Sequence, residues 1–266
     1  MISMLKPNLY LITGAGANSV VRVANEGLLV VNAKGLGQMN YDNLLAQIKT
    51  VSDKPVKYVV IGDVHQDKSG NTALFVGAGA QVIAQENEKA GLATYTNPAG
   101  TPGPPNMTYK TEYSIKMDGK EVAHLYHWGN ASTNGDTITY FPAEKVVVMG
   151  DVIQANLLGI NADYPQGGSI LDWHTTLEGT LKLDFDTVIG NGGMPQTRAD
   201  IEAELKRLNG ISAEAIAAVK MGVTEDQLVA AVDMADPGFQ VERFLANNNK
   251  ARLDAFFAEA SKAAGK

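Results

Sequence analysis

Apolar positions in the first sixty residues come in short runs. Leu9–Thr13, Val20–Val23 and Leu28–Asn32 are β-rich and are separated by Gly14-Ala15-Gly16-Ala17 and Asn25-Glu26-Gly27. This spacing predicts a meander of strands with tight turns. Gly14-Ala15-Gly16 joins two strands and opens no helix, so it reads as a hairpin turn rather than a phosphate-cradling loop. Tyr41–Val51 then switches period, with Leu44, Leu45, Ile48 and Val51 on one helical face. Tyr58–Ile61 is the next predicted strand. Short helices over Asn71–Gly77 and Glu86–Leu92 flank a strand at Gln81–Ala84. Thr94–Met107, rich in Pro, Gly, Asn and Thr, is a loop placed to lie over a site.

The second half repeats the style. Glu121–His127, Thr137–Phe141 and Val146–Met149 read as strands, Ser169–Leu183 as a helix, and Thr187–Ile189 as a strand ending in Gly190-Asn191-Gly192-Gly193. From Thr197 onward the pattern is helical, with segments Ala199–Leu208, Ala213–Met221, Glu225–Val232 and Lys250–Ala264. Strands mixed with helices in two comparable halves predict an α/β or α+β fold with sheets packed between helices.

Composition narrows the function classes. The 266 residues suffice for a sizeable core, and 45% are hydrophobic against 19% charged. The net charge is −7 and no Lys/Arg run stands out, so a nucleic-acid partner is not expected. No apolar run is long enough to span a bilayer, so no membrane partner is expected. Cysteine is absent, which excludes disulfides, thiolate metal sites and Cys nucleophiles. The start, Met1-Ile2-Ser3-Met4-Leu5-Lys6, lacks the basic and apolar regions of a signal peptide. A cytoplasmic protein and an exported one with its signal removed both fit, and the compartment is left open.

The chemistry concentrates at the end of one strand. Val59-Val60-Ile61-Gly62 runs into Asp63-Val64-His65-Gln66-Asp67-Lys68-Ser69-Gly70, a buried run that delivers four ionisable side chains to a strand end. Ionisable groups are costly to bury unless paired or used.

These residues, with three later motifs in the same order, make the stretch from about Leu9 to Arg198 resemble the metallo-β-lactamase superfamily. Asp63-Val64-His65-Gln66-Asp67-Lys68 stands where that family has His-x-His-x-Asp-His. Gly129-Asn130-Ala131-Ser132-Thr133-Asn134-Gly135-Asp136 fills a segment that carries a further His, with Ser132 in its place. Val147-Val148-Met149-Gly150-Asp151 matches a strand ending in Gly-Asp, and Ile189-Gly190-Asn191-Gly192 a strand leading to Gly-His-Gly, with Asn191 for His. Leu29-Val30-Val31-Asn32 stands where relatives place an apolar strand ending in Asp.

The resemblance implies a four-layer αββα sandwich over residues 1–198, with a helical extension, residues 199–266, packed on the same domain. It also implies two zinc positions, and here the chain departs from its pattern: of five His ligand positions only His65 remains. By carry-over, the first position offers Asp63, His65, Ser132 and Asp151. Such a set suits at best one weakly bound, harder divalent ion. The second offers Asp67, Asp151 and Asn191, with Lys68 inserted. An ammonium there repels a divalent ion, so no metal cofactor is expected; if one binds, its ligands are His65, Asp63 and Asp151.

The candidate catalytic residues are therefore His65, Asp63, Lys68, Asp151 and Ser132. His65 reads as a general base oriented by Asp63 or Asp151. Lys68 reads as a neutralising ion-pair partner, or as an electrophile for developing negative charge. Ser132 with His65 and an Asp reads as a Ser-His-Asp unit, or Ser132 is a small filler. Asn191, Trp128, Trp173 and His174 are candidate substrate contacts, with loop bonding, packing or helix capping as their plainer roles.

Three functions follow. The first is a hydrolase-like enzyme with metal-independent acid/base chemistry on a small ester, lactone or amide; a lyase or isomerase using His65 and Lys68 would share its sequence. The second is a non-catalytic binding protein that keeps the fold. The third is a single-metal enzyme. The partner is a small molecule, and the C-terminal helices serve either as an amphipathic cap or as a homodimer surface.

Overall fold

The computed structural model describes residues 1–94, 100–153, 161–235 and 250–266. Seven strands form one sheet in sequence order: β1 Ile2–Lys6, β2 Leu9–Ile12, β3 Ser19–Ala24, β4 Gly27–Val31, β5 Val56–Val60, β6 Gln81–Gln85 and β7 Met107–Tyr109. β1 to β4 are antiparallel and β4 to β7 parallel. The second sheet has the order β12-β11-β10-β9-β8, from β8 Glu112–Met117, β9 Lys120–Tyr126, β10 Ile138–Phe141, β11 Val146–Gly150 and β12 Thr187–Gly190.

The period of two along each strand sorts side chains into separate cores. In β4, Leu29 and Val31 face the other sheet, whereas Leu28 and Val30 face helices α1 (Gln38–Lys49) and α3 (Thr72–Gly77). In β11, Val146 and Val148 join the intersheet core. Val147 and Met149 face α5 (Trp173–Leu181) and α6 (Arg198–Lys220). Strands buried on both faces read as continuous apolar runs, which is why β4 and β11 are uniformly buried. Three cores between four layers make an αββα sandwich.

The remaining helices are α2 Gln66–Ser69, α4 Glu88–Thr94, α7 Glu225–Ala235 and α8 Lys250–Ala264. The sequence reading omitted β1, β7, β8 and α2. It also split α6 between Leu208 and Ala213, where the helix runs unbroken from Arg198 to Lys220. The expected Ser169–Leu183 helix is confined to Trp173–Leu181. Of the expected loop Thr94–Met107, residues 95–99 lie outside the described residues. The C-terminal helices are not a separate layer: Ile201, Leu208, Ile211, Leu228 and Phe256 are buried with Trp173, Leu177 and Phe185 in one core.

The site lies where strand ends from both sheets meet. β5 delivers Asp63 and His65, β11 delivers Asp151 and β12 delivers Asn191. The sheets are joined there by a bond from the Asn18 amide N–H to the Asn191 carbonyl (2.6 Å) and one from Thr137 N–H to the Gly62 carbonyl (2.7 Å).

Candidate active site

Lys68 is fully buried on the short helix α2, and its ammonium is ringed by oxygens. Nζ lies 2.6 Å from Asp151 Oδ2, 3.0 Å from Asp67 Oδ1, 3.3 Å from Asp63 Oδ2 and 3.4 Å from Asn191 Oδ1. Burial alone would drive the amine to its neutral form, but Asp151, Asp63 and Asp67 outweigh it and hold its pKa well above the usual value. An ammonium has three N–H bonds. Four oxygens already surround it, so no donor is left for a substrate. Lys68 thus neutralises the acids, and the electrophilic role raised by the sequence does not fit this geometry.

Asn191 completes the ring by donating from Nδ2 to Asp67 Oδ2 at 3.1 Å. Small backbone is needed around it. A Cβ on Gly62 would lie 2.8 Å from Asn32 Oδ1, and one on Gly150 would meet Lys68 Cδ at 3.4 Å, with Gly150 at φ +53°.

His65 is clamped at both ring nitrogens. Nδ1 lies 2.9 Å from Asp63 Oδ1 and 3.3 Å from Asp151 Oδ2, while Nε2 is 3.0 Å from Asp163 Oδ2. Neither oxygen beside Nδ1 is aligned for a hydrogen bond, so the attraction there is Coulombic. Burial disfavours the charged ring, but Asp63, Asp151 and Asp163 together push its pKa far above neutrality. Carboxylates facing both ring nitrogens favour the imidazolium, whereas the sequence reading has His65 as a general base. Lys68 and then His65 hold Asp151 below the usual carboxylate range, and His65 does the same for Asp163, each against the opposing effect of burial.

Asp163 was not singled out in the sequence. It lies 98 residues from His65, in the turn that enters the 3-10 segment Tyr164–Gln166. Two further buried acids were also missed. Thr133 Oγ1 lies 3.1 Å from Glu88 Oε1 and 3.2 Å from Asp136 Oδ1. A hydroxyl has one hydrogen to donate, so a proton on one of these carboxyls would relieve the competition for it. Burial pushes Glu88 well up, with Asp63 adding to it, and burial pushes Asp136 up to about 8. Asp136 Oδ2 also accepts the Ala131 and Thr133 amides at 3.1 and 2.9 Å, fixing the loop that carries Ser132. Lys34, also missed, is fully buried and donates to the Ile12 and Ala17 carbonyls at 2.7 and 2.6 Å.

The other candidates fall outside this cluster. The Ser132 hydroxyl donates to the Asn161 carbonyl at 3.1 Å rather than to His65, so a Ser-His-Asp unit is not assembled. Trp173 is 2% exposed, with its indole N–H on the Val152 carbonyl, and belongs to the core rather than to a substrate surface. Trp128 stacks on Tyr126 and covers Gly179 of α5. His174 Nδ1 sits 2.8 Å from the Leu171 carbonyl, a local helix-end contact.

The two metal positions of the resemblance fare differently. At the first, Asp63, His65 and Asp151 place one ligand atom each within 4.8 Å of one another. The spacings of 2.9 and 3.3 Å from Nδ1 are those of neighbouring ligands on one ion, where metal–ligand bonds are about 2.0–2.2 Å. Asp163 on Nε2 would fix the tautomer that leaves Nδ1 free to bind. These residues can hold one metal ion, and that ion would take the place of the ring proton. At the second position the residues do not fit: Lys68 Nζ already stands among Asp67, Asp151 and Asn191.

No family model matches the chain. A metallo-β-lactamase type 2 from Elizabethkingia meningoseptica is 26% identical over 162 residues, 58% of this chain and 62% of that protein. The 2,4-dinitroanisole O-demethylase subunit alpha of a Nocardioides species is 25% identical over 174 residues, 65% of this chain and 51% of that protein. The chain thus spans between half and two thirds of the length of these curated relatives. A solved metallo-β-lactamase from Pontibacter korlensis superposes with a TM-score of 0.68 at 19% identity, covering 79% of this chain and 98% of its own. The protein has the metallo-β-lactamase fold, and its sequence relatives and structural neighbours together point to the metallo-β-lactamase superfamily.

Proposed function

We propose that this chain is a hydrolase-like enzyme acting on a small ester, lactone or amide, in which protein cations take over the electrostatic work of the second zinc. The observation that supports this most directly is the buried Lys68 ammonium, held 2.6–3.4 Å from Asp151, Asp67, Asp63 and Asn191. Lys68 and His65 balance part of the charge of Asp63, Asp67, Asp151 and Asp163, which lowers the need for a second metal among them.

Within that frame the division of labour follows exposure and charge. Asp67 is the most open acid of the cluster, with 36% of its side chain exposed, and both its oxygens are held, by Lys68 and Asn191. It is placed to take a proton from an attacking water. His65, faced by carboxylates at both ring nitrogens, is a second fixed cation beside Asp67 and contributes positive charge for the negative charge that develops on the substrate. Asp63, Asp151 and Asp163 orient the imidazolium.

The test is a panel of esters, lactones, thioesters, amides including β-lactams, and an aryl methyl ether, the last because one relative is named an O-demethylase subunit. It is run with and without chelator. Turnover that survives the chelator and falls about 10²–10⁴-fold in H65A and D67N is expected. Failure across the panel would remove the hydrolase reading and favour a binding protein that keeps the fold.

A second reading has its own observation. His65 Nδ1, buried and without an aligned partner between two carboxylates, favours one hard divalent ion at Asp63, His65 and Asp151. Elemental analysis of protein purified without chelator decides it: a stoichiometric Mn, Fe or Zn content supports a single-metal enzyme.

A further inference from the structure

The loop that carries Asp163 is fastened to the C-terminal helix at two points. Near its start, Arg252 Nη1 donates to Asn161 Oδ1 at 2.9 Å. The carbonyl of the same Asn161 accepts the Ser132 hydroxyl at 3.1 Å, and the Asp163 amide donates to the Ser132 carbonyl at 2.8 Å. At its far end, Glu259 accepts the Tyr164 hydroxyl at Oε2 (2.9 Å) and the Ser169 hydroxyl at Oε1. Between these anchors Asp163 Oδ2 meets His65 Nε2 at 3.0 Å. Arg252 and Glu259 are seven residues apart, two helical turns, so both project from one face of α8. The helix itself is fixed by Leu253, Phe256 and Ala260, all buried.

We infer that α8 is a working part of the site. Arg252 and Glu259 are positioning residues that hold the Asn161–Ser169 loop so that Asp163 grips His65. The two-point attachment carries this inference. A helix serving only as an apolar cap would need Leu253, Phe256 and Ala260, whereas here two charged side chains leave that core to bond polar groups on either side of Asp163. The inference rests on the proposal that His65 is a working group, but its test needs no substrate.

The test is the hydrogen-bonded ring Nε2–H of His65, observed by NMR on full-length protein with labelled histidine. The chain has four histidines, so H65Q assigns the signal. A protected downfield ring proton is expected in the wild type and in K262A, which alters an exposed residue of the same helix. It should be lost to exchange in R252A and in E259A, and regained in R252K. Persistence at the wild-type position and protection in folded R252A and E259A would overturn the inference. If either alanine variant fails to fold, Y164F and S169A each remove one bond to Glu259 and are read the same way. Absence of the signal already in the wild type would also overturn it, while leaving the hydrolase proposal to the substrate panel.

Discussion

Removing the amine in K68A leaves Asp63, Asp67 and Asp151 facing one another without their buried cation. Breaking a buried ion pair from one side costs about 3–5 kcal/mol. The same four oxygens are suitable donors for a hard divalent ion, so added Mn²⁺ is expected to restore part of the loss in K68A and to do far less for the wild type. Urea unfolding with and without Mn²⁺ checks this; equal Mn²⁺ effects on both proteins would count against Lys68 as the resident cation. A second residue-scale expectation concerns Asp136, whose carboxyl is pushed up to about 8. A group with a raised folded-state pKa stabilises most below its unfolded value and loses that contribution as pH rises through the folded one. The stability of the wild type relative to D136N should therefore fall between about pH 4 and 8, since Asn keeps the amide-accepting oxygen without titrating. A flat difference across that range would show Asp136 ionised in the fold. The legibility of the site follows sequence distance. Asp63, His65, Asp67 and Lys68 were readable because one strand end delivers all four, and Asp151 and Asn191 because each ends a strand. Asp163, Glu88 and Lys34 were not, because nothing local marks a charged residue whose partner lies on another element. The only cue for Asp163 was its place in the irregular stretch Asn161–Gly168, between a strand and a helix.

Elements were legible where one period dominated. Lys250–Ala264 has the bounds expected of it, and β4 and β11 follow from apolar runs. The expected segments Ala199–Leu208 and Ala213–Met221 leave a gap in α6 that holds Gly210. It sits exposed in the middle of the helix, and a Cβ there would meet nothing within 4 Å. Neighbouring turns are packed through Leu208 and Ile211, and tertiary burial overrides local propensity. G210A should accordingly stabilise the protein by about 1 kcal/mol. Gly179 of α5 is the opposite case, since its Cβ would lie 2.3 Å from Trp128 Cδ2. G179A is expected to cost about 1–3 kcal/mol by pushing α5 off the Trp128 ring. Thermal unfolding of the two variants checks both signs. β1 and β8 escaped notice because each is half polar: their burial alternates or stays partial, and neither forms a continuous apolar run.

At the scale of the molecule, three cores hold four layers together, and the third is shared between the sandwich and its C-terminal helices. The division at residue 198 is then a boundary in sequence rather than in packing. A chain ending there would expose Trp173, Leu177 and Phe185, and is expected to lose the cooperative unfolding transition of the full chain; a sharp transition in the truncated protein would show the sandwich to be self-sufficient. Among the described residues no helix is long and apolar enough to cross a membrane. The most direct measurement is anomalous diffraction at the zinc edge from crystals of the full chain grown with zinc. The expected result is at most one peak, on Asp63, His65 and Asp151, with the Lys68 amine still among Asp67, Asp151 and Asn191. Two peaks about 3.5–4 Å apart, with Lys68 displaced from the cluster, would contradict it.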